Sequence, residues 1–346
     1  MTKFILLMIV LNSMIFPACA LEIDVPDAPA SAAEYMPVKV DSFHDGLLEL
    51  VQNGIRIISP HIKDASRVSL SIICAVVILG VIDIISERND CILQLAGSTV
   101  LASLLLSNVN AMIELAADTV REMCDYGKLL YPVMTTAMAA QGRISSSTAL
   151  YSGSVLFDAI LSGLISSVLI PMIYLFLALS VANRALGEKM LKKMADLIRG
   201  MVSWCLKTVL TIFTTYMSIT GVISGTTDAA ALKTTKVTIS TVVPVIGGIL
   251  SDSSEAILVS AGIMKNAAGV YGILAVLAII IGPVLKIGTH YLLLKMTAAV
   301  CSILGEKGPV ELIDDFSSAM GLLLGMTGAM CLLILISTVC FMKGVG

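Results

Sequence analysis

Along most of this chain apolar positions run together rather than alternate. Six mostly apolar stretches, at 68–86, 91–113, 155–182, 201–223, 269–294 and 320–342, have about the 20 residues that a helix needs to cross about 30 Å of hydrocarbon. The first two are joined only by Glu87–Asp90, too short for anything but a hairpin. Ahead of them Leu47, Leu48, Val51, Ile55 and Ile58 recur at helical spacing, with Glu49, Gln52 and Arg56 between them. That pattern predicts an amphipathic helix, either lying on the membrane or packed on the bundle. Leu21 to Asp45 is acidic, contains Pro and Ala, and has no apolar period, so it predicts a mobile extracytoplasmic leader. The division expected is therefore leader and amphipathic helix over 21–67, then a transmembrane bundle over 68–346.

Between the fourth and fifth stretches the pattern is interrupted. In TVVPVIGGILSDSSEAI (Thr241–Ile257) an apolar run is divided by Pro244 and by Gly247 and Gly248, and then carries Asp252 and Glu255. Its pieces are too short to cross alone, and unpaired peptide groups in lipid each cost several kcal/mol. A re-entrant or interfacial helical segment at about 236–262, tucked against the bundle, is the economical expectation. Ser251 or Asp252 would cap the returning helix, with Glu255 in capping-box register.

The first 20 residues follow the logic of a secretory signal: Lys3, an apolar core from Phe4 to Ile15, then Pro17–Ala20, with cleavage after Ala20 expected and an uncleaved anchor as the alternative. Composition agrees with a membrane protein, since 57% of residues are hydrophobic and 14% charged, with a mean hydropathy of +0.95. A soluble domain has no place to hide that much apolar surface. The net charge of −3 excludes a nucleic-acid surface. Lysine and arginine concentrate in Asn183–Gly200, at Arg184, Lys189, Lys192, Lys193 and Arg199, which places that connection in the cytoplasm by the positive-inside rule. Of the eight cysteines, Cys74, Cys91, Cys205, Cys301, Cys331 and Cys340 lie in or beside apolar runs without a Cys-x-x-Cys pair, and read as small hydrophobes rather than as a disulfide or zinc framework.

Leu-Gly-Glu-Lys occurs twice, at 186–189 and 304–307, each time after a span holding a proline (Pro171 or Pro283) and before an amphipathic piece and another span. This suggests a tandem repeat over the C-terminal four spans.

No catalytic motif or cofactor fingerprint is present. The polar residues inside spans carry what chemistry there is, because a charge at bilayer depth usually faces the bundle interior or a wet cavity. Lys286 and His290 share one helix face, four residues apart, and Asp83, Asp158 and Lys207 complete the set. One reading is an intramembrane polar face, with Lys286 paired to a carboxylate of another span; the other is snorkelling from span ends. Gly321, Gly325 and Gly328 suggest a close helix contact in the last span.

VVPVIGGILSDSSEAIL, KNAAGVYGILAV (Lys265–Val276) and GPVLKI (Gly282–Ile287) resemble the stage III sporulation protein AE family of endospore-forming bacteria. The resemblance extends over most of the chain from about Leu47. It implies an all-α polytopic protein of the mother-cell membrane that surrounds the forespore. It further implies a non-enzymatic subunit of a channel or secretion-like complex joining the two cells. The partners implied are other stage III sporulation A proteins, including a secretion-type ATPase and a ring-forming component, and a forespore-membrane protein. No family site residues transfer. The rival reading is a self-sufficient small-solute permease, its site at the broken segment and the Lys286/His290 face; a membrane enzyme ranks third.

Overall fold

The computed structural model describes residues 26–37, 43–85, 91–186, 189–242, 247–303 and 307–343, with side chains described outside 83–85, 91–95, 221–265 and 307. Among them are seven α-helices and no strand: α1 (Phe43–Ile85), α2 (Cys91–Ala140), α3 (Ile144–Leu164), α4 (Ile170–Leu186), α5 (Lys189–Val242), α6 (Gly247–Ile303) and α7 (Lys307–Lys343). A π-helical turn, Ile165–Leu169, joins α3 to α4 just before Pro171, whose ring and missing N–H a regular turn would not accommodate. Six runs are long and apolar enough to cross a membrane: Phe43–Ile82, Ala96–Ala140, Ile144–Leu186, Lys189–Thr220, Asn266–Ile303 and Gly308–Lys343. The chain is an all-α, multi-pass membrane protein.

Each helix, with α3 and α4 taken together as Ile144–Leu186, is longer than the apolar run that identifies it. The amphipathic segment at 47–58 is no separate element but the first part of α1, which continues through Pro60 into the first span. At 43 residues α1 is about 65 Å long, twice the hydrocarbon thickness. Likewise α2 passes Pro132 and ends at Ala140, where Gly142, at φ 80°, lets the chain turn into α3. The amphipathic pieces after the two Leu-Gly-Glu-Lys turns are the first turns of α5 and α7, because nothing between them and the following spans stops a helix.

Within 236–262, residues up to Val242 end α5 and those from Gly247 begin α6. Pro244 lies outside the described residues. Gly247 and Gly248 occupy the first turn of α6, where glycine is cheap, and Asp252 and Glu255 lie within the helix rather than at its cap. The segment 1–20, with its expected cleavage point, also lies outside the described residues.

α6 and α7 form the most extensive pair, α2 packs against both, α1 lies on α6, and α3 and α4 are flanked by α2, α5 and α7. Side-chain contacts fix the register along the bundle. Gly97 of α2 meets Leu79 of α1; Gly272 of α6 meets Leu130 of α2; Gly269 meets Met342 and Met134; Gly127 meets Asp158 of α3. Tyr131 of α2 stacks on Phe341 of α7 at 6.1 Å. The core is mainly apolar, filled by Phe176, Phe213, Phe316, Phe341, Met123, Leu105 and their neighbours. Of the described cysteines, Cys124, Cys301 and Cys331 are buried, Cys205 and Cys340 half-buried and Cys74 exposed, all as free thiols.

The expectation of a mobile leader fails for residues 26–37. They form a tight turn closed by Ala32 N–H to the Pro29 carbonyl (2.9 Å) and Met36 N–H to the Ala32 carbonyl (3.0 Å). Ala32 and Tyr35 are buried in the main core, and Ser31 Oγ donates to the Glu122 carboxylate of α2 at 2.5 Å. The Tyr35 ring fills the space that Gly282 leaves on α6. Burial, then the charge of Glu34, push the Tyr35 phenol above its ordinary range. Small residues pack without any apolar period to announce them.

Candidate functional site

Two polar clusters interrupt the apolar interior. In the first, His290 of α6 is buried, and its Nδ1 lies 3.1 Å from Asn108 Nδ2 of α2. An amide nitrogen only donates, so with this orientation Nδ1 accepts and the ring carries its proton on Nε2. Lys286, one turn away and half-buried, is within electrostatic reach of His290 and of His61 on α1, and Asp64 of α1 bears on both imidazoles. The cluster thus joins three helices, α1, α2 and α6, at the level where Pro283 opens the α6 ladder.

The second cluster lies farther along the bundle, away from the Leu-Gly-Glu-Lys turns. Asp158 is 2% exposed and its Oδ2 accepts a 2.8 Å hydrogen bond from Tyr131 Oη. Its Oδ1 has no partner among the described residues, and neither do the buried hydroxyls of Ser154, one turn earlier, and Ser337 on α7. Gly127 permits this arrangement, since a Cβ there would stand 2.8 Å from Asp158 Oδ2. The bond ties α2 to α3.

A third feature is surface charge at the end of the bundle where α4 ends and α5 and α7 begin. The described ends of these helices lie together: Arg184 covers Gly308, and Lys192 of α5 pairs with Glu311 of α7 at 3.1 Å. Lys295 of α6 pairs with Asp314 of α7. A cleft of about 500 Å³ between α5, α6 and α7 is lined by Lys192, Asp196, Arg199, Lys295, Asp314 and Asp315. α5 and α7 meet here with opposite charge, Lys192 and Arg199 on α5 against Glu311, Asp314 and Asp315 on α7.

The structure therefore gathers Lys286 and His290 but sets the other sequence candidates apart. Lys207 is exposed on α5, remote in sequence and surface from the His290 cluster. Asp83 belongs to α1, and its side chain lies outside the described residues. The last-span glycines do not mark a close approach. A Cβ on Gly321 would make ordinary contact with Tyr291 at 3.4 Å, one on Gly325 would lie 3.7 Å from Leu206, and one on Gly328 would meet nothing. Close approaches occur instead at Gly127, Gly269 and Gly272. Asn108 is a polar residue inside an apolar run and was legible on that ground; Tyr131 lies beyond the end expected for its span and carried no signal. Among the described residues no group of three or more His, Cys, Asp or Glu side chains is placed to hold a metal.

A family model described as stage III sporulation protein AE matches residues 67–344. The chain is also 26% identical over 222 residues to the stage III sporulation protein AE of Bacillus subtilis (strain 168), an alignment covering 64% of this chain and 55% of that protein. The match thus spans little more than half the length of that relative. No solved structure matches.

Proposed function

Because the chain belongs to the stage III sporulation protein AE family, we propose that it is an integral membrane subunit of the channel or secretion-like complex that links mother cell and forespore during endospore development. It resides in the mother-cell membrane surrounding the forespore and acts without catalysis of its own. It assembles with other stage III sporulation A proteins, among them a secretion-type ATPase and a ring-forming component, and with a forespore-membrane protein across the gap. The family match over most of the chain carries this reading. The charged cleft between α5, α6 and α7 supports it as a place where a cytoplasmic partner docks, since paired but half-exposed charges exchange partners at little cost.

Isolation of the full chain from sporulating cells in mild detergent, followed by identification of what accompanies it, tests the proposal. Recovery of the other stage III sporulation A proteins is expected; recovery of the chain alone overturns it. The cluster of His290 and Lys286 with Asn108 and His61, drawn from three helices, favours one rival, a self-sufficient permease. Purified chain that moves a small solute into liposomes unaided would establish that rival instead.

A further inference from the structure

The contacts between helices locate the middle of the membrane. Asp158 of α3 is level with Gly127 of α2, so nine residues toward the charged end Asp118 is level with residue 167, beside Val168. That is the centre of the 155–182 apolar run. α6 gives the same answer independently: His290 is level with Asn108 and Gly272 with Leu130, which sets the centre of the 269–294 run opposite residue 118. α7 agrees, because Phe341 is level with Tyr131 and the centre of 320–342 then lies opposite residue 121. Three spans place Asp118 and Arg121 at the bilayer midplane.

At that height the outward faces of the bundle differ in kind. On the α3–α4 side the exposed large side chains include Leu156, Ile160, Val168 and Leu175, as lipid requires, and the exposed residues between them include the small, uncharged Ala159, Gly163, Ser166 and Ser167, with the Ser166 hydroxyl returned to the Ser162 carbonyl. On α2 they are Ser107, Asn110, Glu114, Asp118, Arg121 and Asp125, recurring every three or four residues along one face for about 27 Å, nearly the hydrocarbon thickness. The charges are paired along the helix, Asp118 with Arg121 at 3.5 Å and Asp125 with Lys128 at 2.7 Å, yet all four side chains stay 59–73% exposed. Pairing lowers the cost of charge in lipid but leaves most of the polar surface unsolvated. α1 is mixed at this height: Gly54 seats on Ile281, and a polar stripe of Gln52, Arg56 and Lys63 is exposed beside an apolar one of Val51, Ile55 and Ile62.

We infer that the outward face of α2, with the adjoining polar face of α1, borders water at the bilayer midplane and lines an aqueous passage. The inference rests on the complex proposed above, whose neighbouring subunits supply the remaining walls. Because the two extra negative charges of the α2 stripe (Glu114, Asp118 and Asp125 against Arg121) are matched by Arg56 and Lys63 of α1, the wall is close to neutral and suits small hydrated solutes of either charge rather than ions of one sign. The apolar runs 91–113 and 68–86 lie off-centre, about 25 and about 35 Å toward the charged end, so the α1–α2 hairpin is displaced axially from the other spans.

Cysteine accessibility tests this in the full chain, in membranes of an endospore-forming host. Asp118→Cys and Val168→Cys sit at one height, Asp125→Cys and Ile160→Cys at another; all four positions are exposed, and the rate of the parent chain is subtracted for Cys74. A membrane-impermeant charged maleimide is expected to label the α2 cysteine at least tenfold faster than its partner at each height. A ratio below tenfold at both heights overturns the inference, whether both sites are slow or both fast. Two pairs keep the test decisive if one variant fails to accumulate. Co-isolated proteins are identified from the same membranes. A failed ratio with the sporulation partners present removes the aqueous face alone, whereas missing partners with the ratio intact remove the proposed complex alone.

Discussion

Removing the Tyr131 hydroxyl, by Tyr131→Phe, takes away the only hydrogen bond that the structure gives to the Asp158 carboxyl among the described residues. Interhelical hydrogen bonds in membrane bundles are typically worth about 0.6 kcal/mol, with a maximum near 1.7. Here the partner left behind is a carboxyl at 2% exposure whose other oxygen already lacks a bond, so the desolvation of an orphaned group adds about 1–3 kcal/mol. A total of about 2 kcal/mol follows, which at about 2 °C per kcal/mol for a large domain lowers the midpoint of unfolding by about 4 °C. Asp158→Leu should cost a similar amount by orphaning the phenol. The double variant should cost about 1 kcal/mol less than the sum, because replacing both partners by apolar groups leaves nothing unsatisfied. The buried thiols Cys124, Cys301 and Cys331 provide the assay, as a thiol-reactive dye reports their exposure on heating in detergent. Additivity within about 0.3 kcal/mol, the usual scatter for independent sites, would refute the reasoning and make the contact incidental.

The remaining expectations are narrower. Gly127→Ala forces a methyl to within 2.8 Å of Asp158 Oδ2 and 3.3 Å of the Tyr131 ring, and should destabilise by about 1–3 kcal/mol in the same thermal assay; Gly328→Ala, which meets nothing, should be silent or slightly stabilising. The Lys192–Glu311 pair is about half-exposed on both sides, so a double-mutant cycle on stability should return no more than about 1 kcal/mol, while charge reversal at Lys192 should still reduce recovery of cytoplasmic partners. Tyr35 has its folded pKa raised, so its contribution to leader docking is complete below the ordinary phenol value of about 10 and lost as pH rises from there through the folded value. Limited proteolysis near Glu34 should accelerate only above about pH 10, and Tyr35→Phe should abolish that dependence. An impermeant reagent should reach Gln141→Cys, at the α2–α3 turn, and Lys193→Cys, near the charged end, from opposite sides of the membrane; labelling of both from one side would invert the orientation argued from lysine and arginine.

Several features were readable before any coordinates existed because they are local sums. Six apolar runs long enough to span bilayer hydrocarbon predict six membrane helices however they pack. His290 beside Lys286 was readable for the same reason: spacing along one helix fixes a shared face. The docked turn at 26–37 was not, since Ala32 and Tyr35 find their partners on α2 and α6, far away in the sequence. Nor was the extension of helices past their apolar runs, because a polar helix turn is stable only when a neighbouring helix shelters it.

By itself, then, the sequence determined class, span number and family, each a property of short windows whose apolar content or residue identity suffices. Only the tertiary structure decided which face of each helix is covered and at what depth. It set Asn108 against His290, Tyr131 against Asp158, and Asp118 opposite Val168. The physical reason is that periodicity specifies the angle between residues on one helix but not the rotation and axial shift between two. Those are chosen by side-chain packing at positions such as Gly127 and Gly272, where the absence of a single carbon sets the register of the whole bundle.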